Sequence, residues 1–329
     1  MNRQTLSDLK SRFYRKPKDE LQRLSRWGLR AYVRCDHWAG EMEASVAALD
    51  IPEFDPSLPP IETWYLTGER FWYQTAYCAW TLSQQSGREV ILNLVDDGTL
   101  TDQYLAPLRR LFPKGNLLKS NAVEERLDSL LPRPQFPVLR QRCDDYINIR
   151  KLVDVHLGST GWKLVLDSDM LFFDRPNALI DWADGALTGS GERPLLLMKD
   201  CEESYGYSRP LMKSLTGAEI PTLLNVGVCG LNSETIDWSE LEDWCSKLSQ
   251  REGTSYFLEQ ALVAMMASRE PHFVLPEDGY QTFPSESATR SGSGVLQHYV
   301  ADSKPWYFGH AWKIAREFGL NPHSLELPA

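Results

Sequence analysis

The chain has 329 residues, 42% hydrophobic and 24% charged, which excludes a mainly disordered protein and allows one large domain or two modest ones. No apolar stretch nears the roughly 18 residues that span a bilayer, and the N-terminus lacks the apolar centre of a signal peptide. Residues 1–35 carry ten Lys or Arg against three acids, so within a net charge of −10 the remainder is strongly acidic and unsuited to general nucleic-acid binding.

Residues 6–34 have helical spacing, with Leu21, Leu24, Trp27 and Ala31 on one face and Arg23, Arg26, Arg30 and Arg34 on others. A basic amphipathic helix of this kind either packs on its own domain or docks on an anionic membrane surface or a partner. Residues 51–60 (IPEFDPSLPP) hold four prolines and read as a linker. Strands are then expected over 62–67, 89–95, 163–166, 194–199, 225–231 and 295–300. Helices are expected over 71–83, 102–112, 123–131 and 143–157, with a further helical run at 257–262. Alternation of this kind specifies an α/β fold with a mostly parallel sheet, helices on both faces, and ligands beyond the carboxyl ends of the strands. The six cysteines stand singly, with no C-x-x-C pair, and read as buried thiols of a reduced, cytoplasmic protein. Most of the 11 Trp and 13 Tyr are expected to fill the core.

The residues with chemistry cluster at the ends of those strands. Asp167 and Asp169 flank Ser168 after an apolar strand, and alternate side chains of extended backbone face one way. Two carboxylates together suit a hard divalent cation; the competing reading is a turn or a helix N-cap. His298 at the end of a strand is a fitting third ligand for Mn2+ or Mg2+, and Lys304 six residues on is a point charge for a diphosphate. Asn225 and Gly227 lie in a glycine-bearing strand that permits close approach of a ligand or forms a bulge. Asp96 and Asp97 end a strand, where an acid binds ribose hydroxyls or caps a turn at Gly98. Glu259 and Gln260 are either site residues or a solvated helix face.

Taken in order, these segments resemble a GT-A-fold glycosyltransferase, most like glycosyltransferase family 8. The D-x-D is matched by Asp167-Ser168-Asp169, and an arginine on the preceding helix by Arg150. An N-x-G-V strand is matched by Asn225-Val226-Gly227-Val228, and H-x-x-G-x-x-K-P-W by His298 to Trp306. Two positions depart from the pattern: Ala301 stands for its glycine, and Glu259-Gln260 for a D-Q pair. Asp96-Asp97-Gly98-Thr99 is instead similar to the nucleotide-binding D-D-G-S of family 2.

The resemblance implies a GT-A catalytic domain over 61–315, a basic helical extension over 1–50, the linker over 51–60 and a tail over 316–329. It implies Mn2+ (or Mg2+) held by Asp167, Asp169 and His298, and a nucleotide-sugar donor, usually a UDP-sugar. Donor binding then falls to Thr67, Asp96, Asp97, Arg150, Ser168, Asn225, Gly227, Ala301, Lys304 and Trp306. Catalytic roles fall to Glu259, Gln260 and Asp200, with Asp278 a further acid. The acceptor is a glycan, lipid or protein hydroxyl. A nucleotidyltransferase would carry a glycine- and arginine-rich loop after the first strand, for which Thr67-Gly68-Glu69-Arg70 is too poor. A non-catalytic sugar-binding scaffold has no need of the acids, His298 and Lys304 together.

Overall fold

In the computed structural model, which describes residues 33–189 and 192–320, the apolar runs form a seven-stranded and a three-stranded sheet. The larger has the order β3 (Leu117–Leu118), β2 (Val90–Asp96), β1 (Ile61–Thr67), β4 (Trp162–Leu166), β7 (Leu224–Asn232), β6 (Leu195–Lys199), β8 (His272–Val274). All neighbours are parallel except β7, which is antiparallel to β4 and β6. Strand residues alternate between two cores: Leu164, Leu166, Leu196 and Met198 enter one, Val165, Leu195 and Leu197 the other. Both faces of the sheet are therefore covered, as a mostly parallel sheet requires.

From β1 the chain moves outward to β2 and β3, then returns to β4 on the other side of β1. This reversal opens a crevice at the carboxyl ends of β1 and β4. Thr67 ends β1 there, and Asp167 follows β4. The helix Trp72–Ser86, buried on nearly every side, packs against β1, β2 and the helix Trp312–Leu320. Gly87 stops it in the left-handed region (φ 66°), its amide on the Ser83 carbonyl.

Four expectations need correction. The helix expected over 143–157 is two, Pro137–Asp145 and Ile149–His156, broken at an extended Tyr146. Ile147 at the break is exposed, whereas Ile149, Leu152 and Val153 are buried, so the two halves bury different stripes. The prolines at 52–60 do give irregular chain, but residues 33–50 before them complete the main core. There Met42, Val46 and Leu49 are buried with Trp72, Tyr77 and Trp80, and the Trp80 indole donates to the Asp50 carbonyl at 2.9 Å. Likewise the helix Trp312–Leu320 continues through residue 316, whose guanidinium donates to the Ala48 carbonyl at 3.2 Å. Cys201, in the loop after β6, is exposed where a buried thiol was expected. The helix expected over 6–34 lies outside the described residues except for its last two positions. Among the described residues no helix is long and apolar enough to cross a membrane.

His156 closes the helix Ile149–His156, only 1% exposed, with Nδ1 2.9 Å from Ser233 Oγ. Burial, aided by Lys163, pushes its pKa down to about 3. As pH falls the unfolded chain takes this proton first, so the contribution is complete above pH 6.5 and is lost toward pH 3. Between pH 7 and 4.5 the wild type is expected to lose roughly 2–3 kcal/mol more stability than His156→Gln. Urea unfolding at the two pH values checks this; equal losses would show that His156 protonates in the folded state.

Candidate active site at the β1–β4 crevice

The backbone delivers three distant segments to one place. The Asp167 amide donates to the Gly227 carbonyl of β7 at 2.8 Å. After Asp169 the chain turns into β5 (Met170–Phe172), which pairs antiparallel with β10 (Leu296–His298), itself flanked by β9 (Tyr280–Thr282). This register sets His298 opposite Met170, and the Tyr299 amide donates to the Asp169 carbonyl at 2.9 Å. The His298 ring then lies on β7 at Gly227. A Cβ at 227 would fall 2.5 Å from its Cε1 and Nδ1, so a glycine is needed there.

His298 Nε2 faces Asp167 Oδ2 at 3.5 Å and Asp169 Oδ1 at 3.3 Å. The other oxygens are taken by lysines: Lys151 Nζ is 2.6 Å from Asp167 Oδ1, and Lys304 Nζ is 2.5 Å from Asp169 Oδ2. Two carboxylate oxygens are thus left pointing at one imidazole nitrogen, and the three groups offer ligand atoms within 4.8 Å of one another. The His298 side chain is 2% exposed, and neither ring nitrogen has a hydrogen-bond partner among the described residues. Orphaned buried nitrogens are costly, and a cation among these donors would satisfy Nε2. The donor set, hard oxygens plus one imidazole, fits Mn2+ or Mg2+. Burial raises the Asp169 pKa, but Lys304 and His298 outweigh it and hold the carboxyl well below its usual range. Asp169 is therefore ionised, as a metal ligand must be.

Lys151 was not anticipated from the sequence. It is buried between Asp167 and Glu259, whose Oε2 is 3.3 Å away. Burial lowers its pKa, but the two acids outweigh this and keep it protonated. Burial pushes Glu259 up to about 7 against the pull of Lys151, with Asp167 raising it further. The expected Arg150 sits one residue earlier and turns elsewhere. Its Nε donates to Asp154 at 2.7 Å, and its other nitrogens donate to the Asp97 and Asp96 carbonyls at 3.2 and 3.1 Å. It holds the loop after β2 from beneath.

A second cluster forms around Asp200, which follows β6. Asp200 Oδ2 accepts from Asn225 Nδ2 at 3.2 Å and Gln260 Nε2 at 3.0 Å, while Oδ1 accepts the Cys201 amide at 2.8 Å. Asn225 Oδ1 accepts the Gly227 amide at 2.8 Å, which ties this cluster to the glycine under His298. Glu259 and Gln260 are adjacent on the helix Leu258–Ala267, yet one serves Lys151 and the other Asp200.

The remaining candidates are held by local hydrogen bonds. Thr75 links Thr67 (2.9 Å) to Ser168 (2.8 Å), so the Ser168 hydroxyl turns toward the helix Trp72–Ser86. Asp96 Oδ1 accepts the Gly98 and Leu100 amides, and Asp97 Oδ1 accepts the Thr99 amide and hydroxyl. Trp306 is half-buried two residues after Lys304. The Asp278 carboxylate accepts the Gly279 amide of its own loop.

Ala301, in the glycine position of the resemblance, keeps a left-handed backbone (φ 45°) and is exposed. That conformation costs a residue with a Cβ about 1–2 kcal/mol. Ala301→Gly is therefore expected to raise stability by about 1 kcal/mol. A urea midpoint that falls would show that the Cβ makes contacts worth more than the strain.

No protein-family model matches the sequence, and no curated protein sequence matches it. Solved structures do. The apo form of mouse xyloside xylosyltransferase 1 superposes with a TM-score of 0.51 at 14% identity, over 75% of this chain and 99% of that one. The galactosyltransferase LgtC, in complex with donor and acceptor sugar analogues, superposes with a TM-score of 0.50 at 14% identity, over 78% of this chain and 96% of that one. The chain has the GT-A fold of these glycosyltransferases.

Proposed function

We propose that the protein is a metal-dependent, retaining glycosyltransferase that moves a sugar from a nucleotide-sugar donor, a UDP-sugar on the resemblance, to an acceptor hydroxyl. The observation that carries this reading is the Asp167–Asp169–His298 cluster, flanked by Lys304, at the crevice of a GT-A sheet. Asp167, Asp169 and His298 hold the divalent cation, Mn2+ or Mg2+, which supplies positive charge beside the leaving diphosphate. Lys304 leaves Asp169 for a diphosphate oxygen, where negative charge grows as the glycosidic bond breaks. Lys151 holds Asp167 in orientation through its contact with Oδ1. Asp200, Asn225 and Gln260 read sugar hydroxyls, and the Arg150-braced Asp96–Asp97 loop receives the nucleoside.

The three acids that could act as base on the acceptor are engaged: Glu259 with Lys151, Asp200 with Asn225, Gln260 and the Cys201 amide, and Asp278 with the Gly279 amide of its own loop. This supports retention. The acceptor hydroxyl attacks the anomeric carbon on the face the diphosphate leaves, and its proton passes to a departing phosphate oxygen. The acceptor is a glycan, lipid or protein, and the basic stretch over residues 1–35 docks the enzyme to a membrane surface or a partner. The test is a donor-hydrolysis screen over nucleotide sugars with Mn2+. Release of nucleoside diphosphate from one donor class supports the reading; inert donors throughout, with the protein folded and Mn2+ present, would contradict it.

A further inference from the structure

The helix over residues 33–45 reaches the catalytic lysine by a route separate from the core it completes. Trp38 lies directly against Gly309: a Cβ at 309 would stand 3.2–3.5 Å from three carbons of the indole. Gly309 belongs to a π-helical turn, Tyr307–Ala311, that follows Lys304–Trp306 without a break. The Trp38 ring also lies 6.2 Å from the His310 ring, whose Nε2 is 3.0 Å from Arg290 Nη2 on the opposite brace. The same pair of elements is tied again by Glu41 and Lys313 at 2.8 Å. At the start of the turn, buried Tyr307 stacks on Tyr299 with centroids 5.0 Å apart, and Lys304 Nζ lies 5.4 Å over the Tyr307 ring.

A π turn carries one more residue than the α-helix around it, and such turns are uncommon outside functional sites. Relaxing it to α geometry would rotate the residues before it by about 100° about the helix axis. That rotation would carry Lys304 away from Asp169. Groups packed on the turn favour one register over the other, and Trp38 on Gly309 is the contact made from outside the catalytic crevice.

The geometry points to Trp38 as a positioning residue for Lys304, acting through Gly309 and the π turn to aim the ammonium group at the donor diphosphate. This rests on the reading of Lys304 given above. It predicts that Trp38 and Lys304 contribute to one and the same interaction, although their side chains belong to elements at opposite ends of the chain.

The nucleoside diphosphate product carries the charge that Lys304 meets, so its binding reports the contact. UDP, GDP and ADP are titrated calorimetrically into the full chain with Mn2+, and the tightest serves as probe. Lys304→Ala and Trp38→Ala are each expected to weaken it about 10-fold or more, Trp38→Phe much less. The double variant should bind within about 2-fold of Lys304→Ala alone, since coupled residues are non-additive. Gly309→Ala, which crowds the indole by a few tenths of an ångström, should weaken the probe in the same coupled way, and serves where Trp38→Ala does not fold. Wild-type affinity in Trp38→Ala or Gly309→Ala, or a loss that adds in full to that of Lys304→Ala, overturns the proposal. Failure of the wild type to bind any of the three would overturn the reading of the site itself.

Discussion

Asp169→Asn is expected to reduce metal-dependent donor turnover by about 10²–10³-fold while leaving the chain folded. The substitution keeps shape and removes charge at the point where the site concentrates it. Asp169 Oδ1 faces His298 Nε2 and Oδ2 faces Lys304, so an amide would present one neutral oxygen to the cation and would place an NH2 against either the ammonium or the imidazole. Mn2+ affinity should fall with activity, because a neutral amide oxygen is the weaker ligand for a hard cation. Turnover within a few-fold of wild type, with circular dichroism unchanged, would show that the carboxylate is a structural partner of Lys304 and no ligand. In the folded chain Asp169 is held ionised below its usual range, so the stability it contributes is present above about pH 4 and lost in stronger acid.

The second large effect is on stability. Lys151→Met is expected to cost about 3 kcal/mol, because it strands buried Glu259 and half-buried Asp167 where one ammonium had compensated both. The ammonium lies 2.6 Å from Asp167 and 3.3 Å from Glu259, and the lysine is 7% exposed. The cost exceeds that of a surface ion pair, since little solvent reaches Glu259 to replace the lost partner. Burial already pushes Glu259 up to about 7 with the lysine present, and without it the acid should take up a proton at neutral pH. Adding Glu259→Gln to Lys151→Met should therefore recover part of the loss, a coupling of about 1–3 kcal/mol by urea unfolding at pH 7. A single variant within about 1 kcal/mol of wild type would mean that water reaches Asp167 and Glu259 freely.

The Asp167–Asp169–His298 cluster was legible because each member is marked locally. Two acids follow an apolar strand, and one histidine ends another; the fold then closes the distance between them. Lys151 was not legible for a geometric reason. Arg150 and Lys151 are consecutive, so which of the two faces the crevice depends on helix rotation, and the break at Tyr146 resets that rotation. Glu259 and Gln260 show the same limit: neighbours about 100° apart on a helix serve two separate clusters, and only the packing of that helix against β7 decides which serves which. The N-terminal boundary was misplaced because four prolines outweighed a quieter signal. Met42, Val46 and Leu49 recur at helical spacing and belong to the core, as their burial shows. Ala301 stands where the resemblance has a glycine, and the loop keeps the glycine-like backbone there at the expense of local strain.

Asp167, Asp169 and His298 are expected to bind one divalent cation together. A crystal structure with Mn2+ and a nucleoside diphosphate, phased at the manganese edge, tests it most directly. One anomalous peak is expected at the crevice, with oxygens of Asp167 and Asp169 and His298 Nε2 each within about 2.5 Å of it, and diphosphate oxygens completing the shell. A peak elsewhere, or a bound ion with the His298 ring turned away beyond the reach of its side chain, would contradict it.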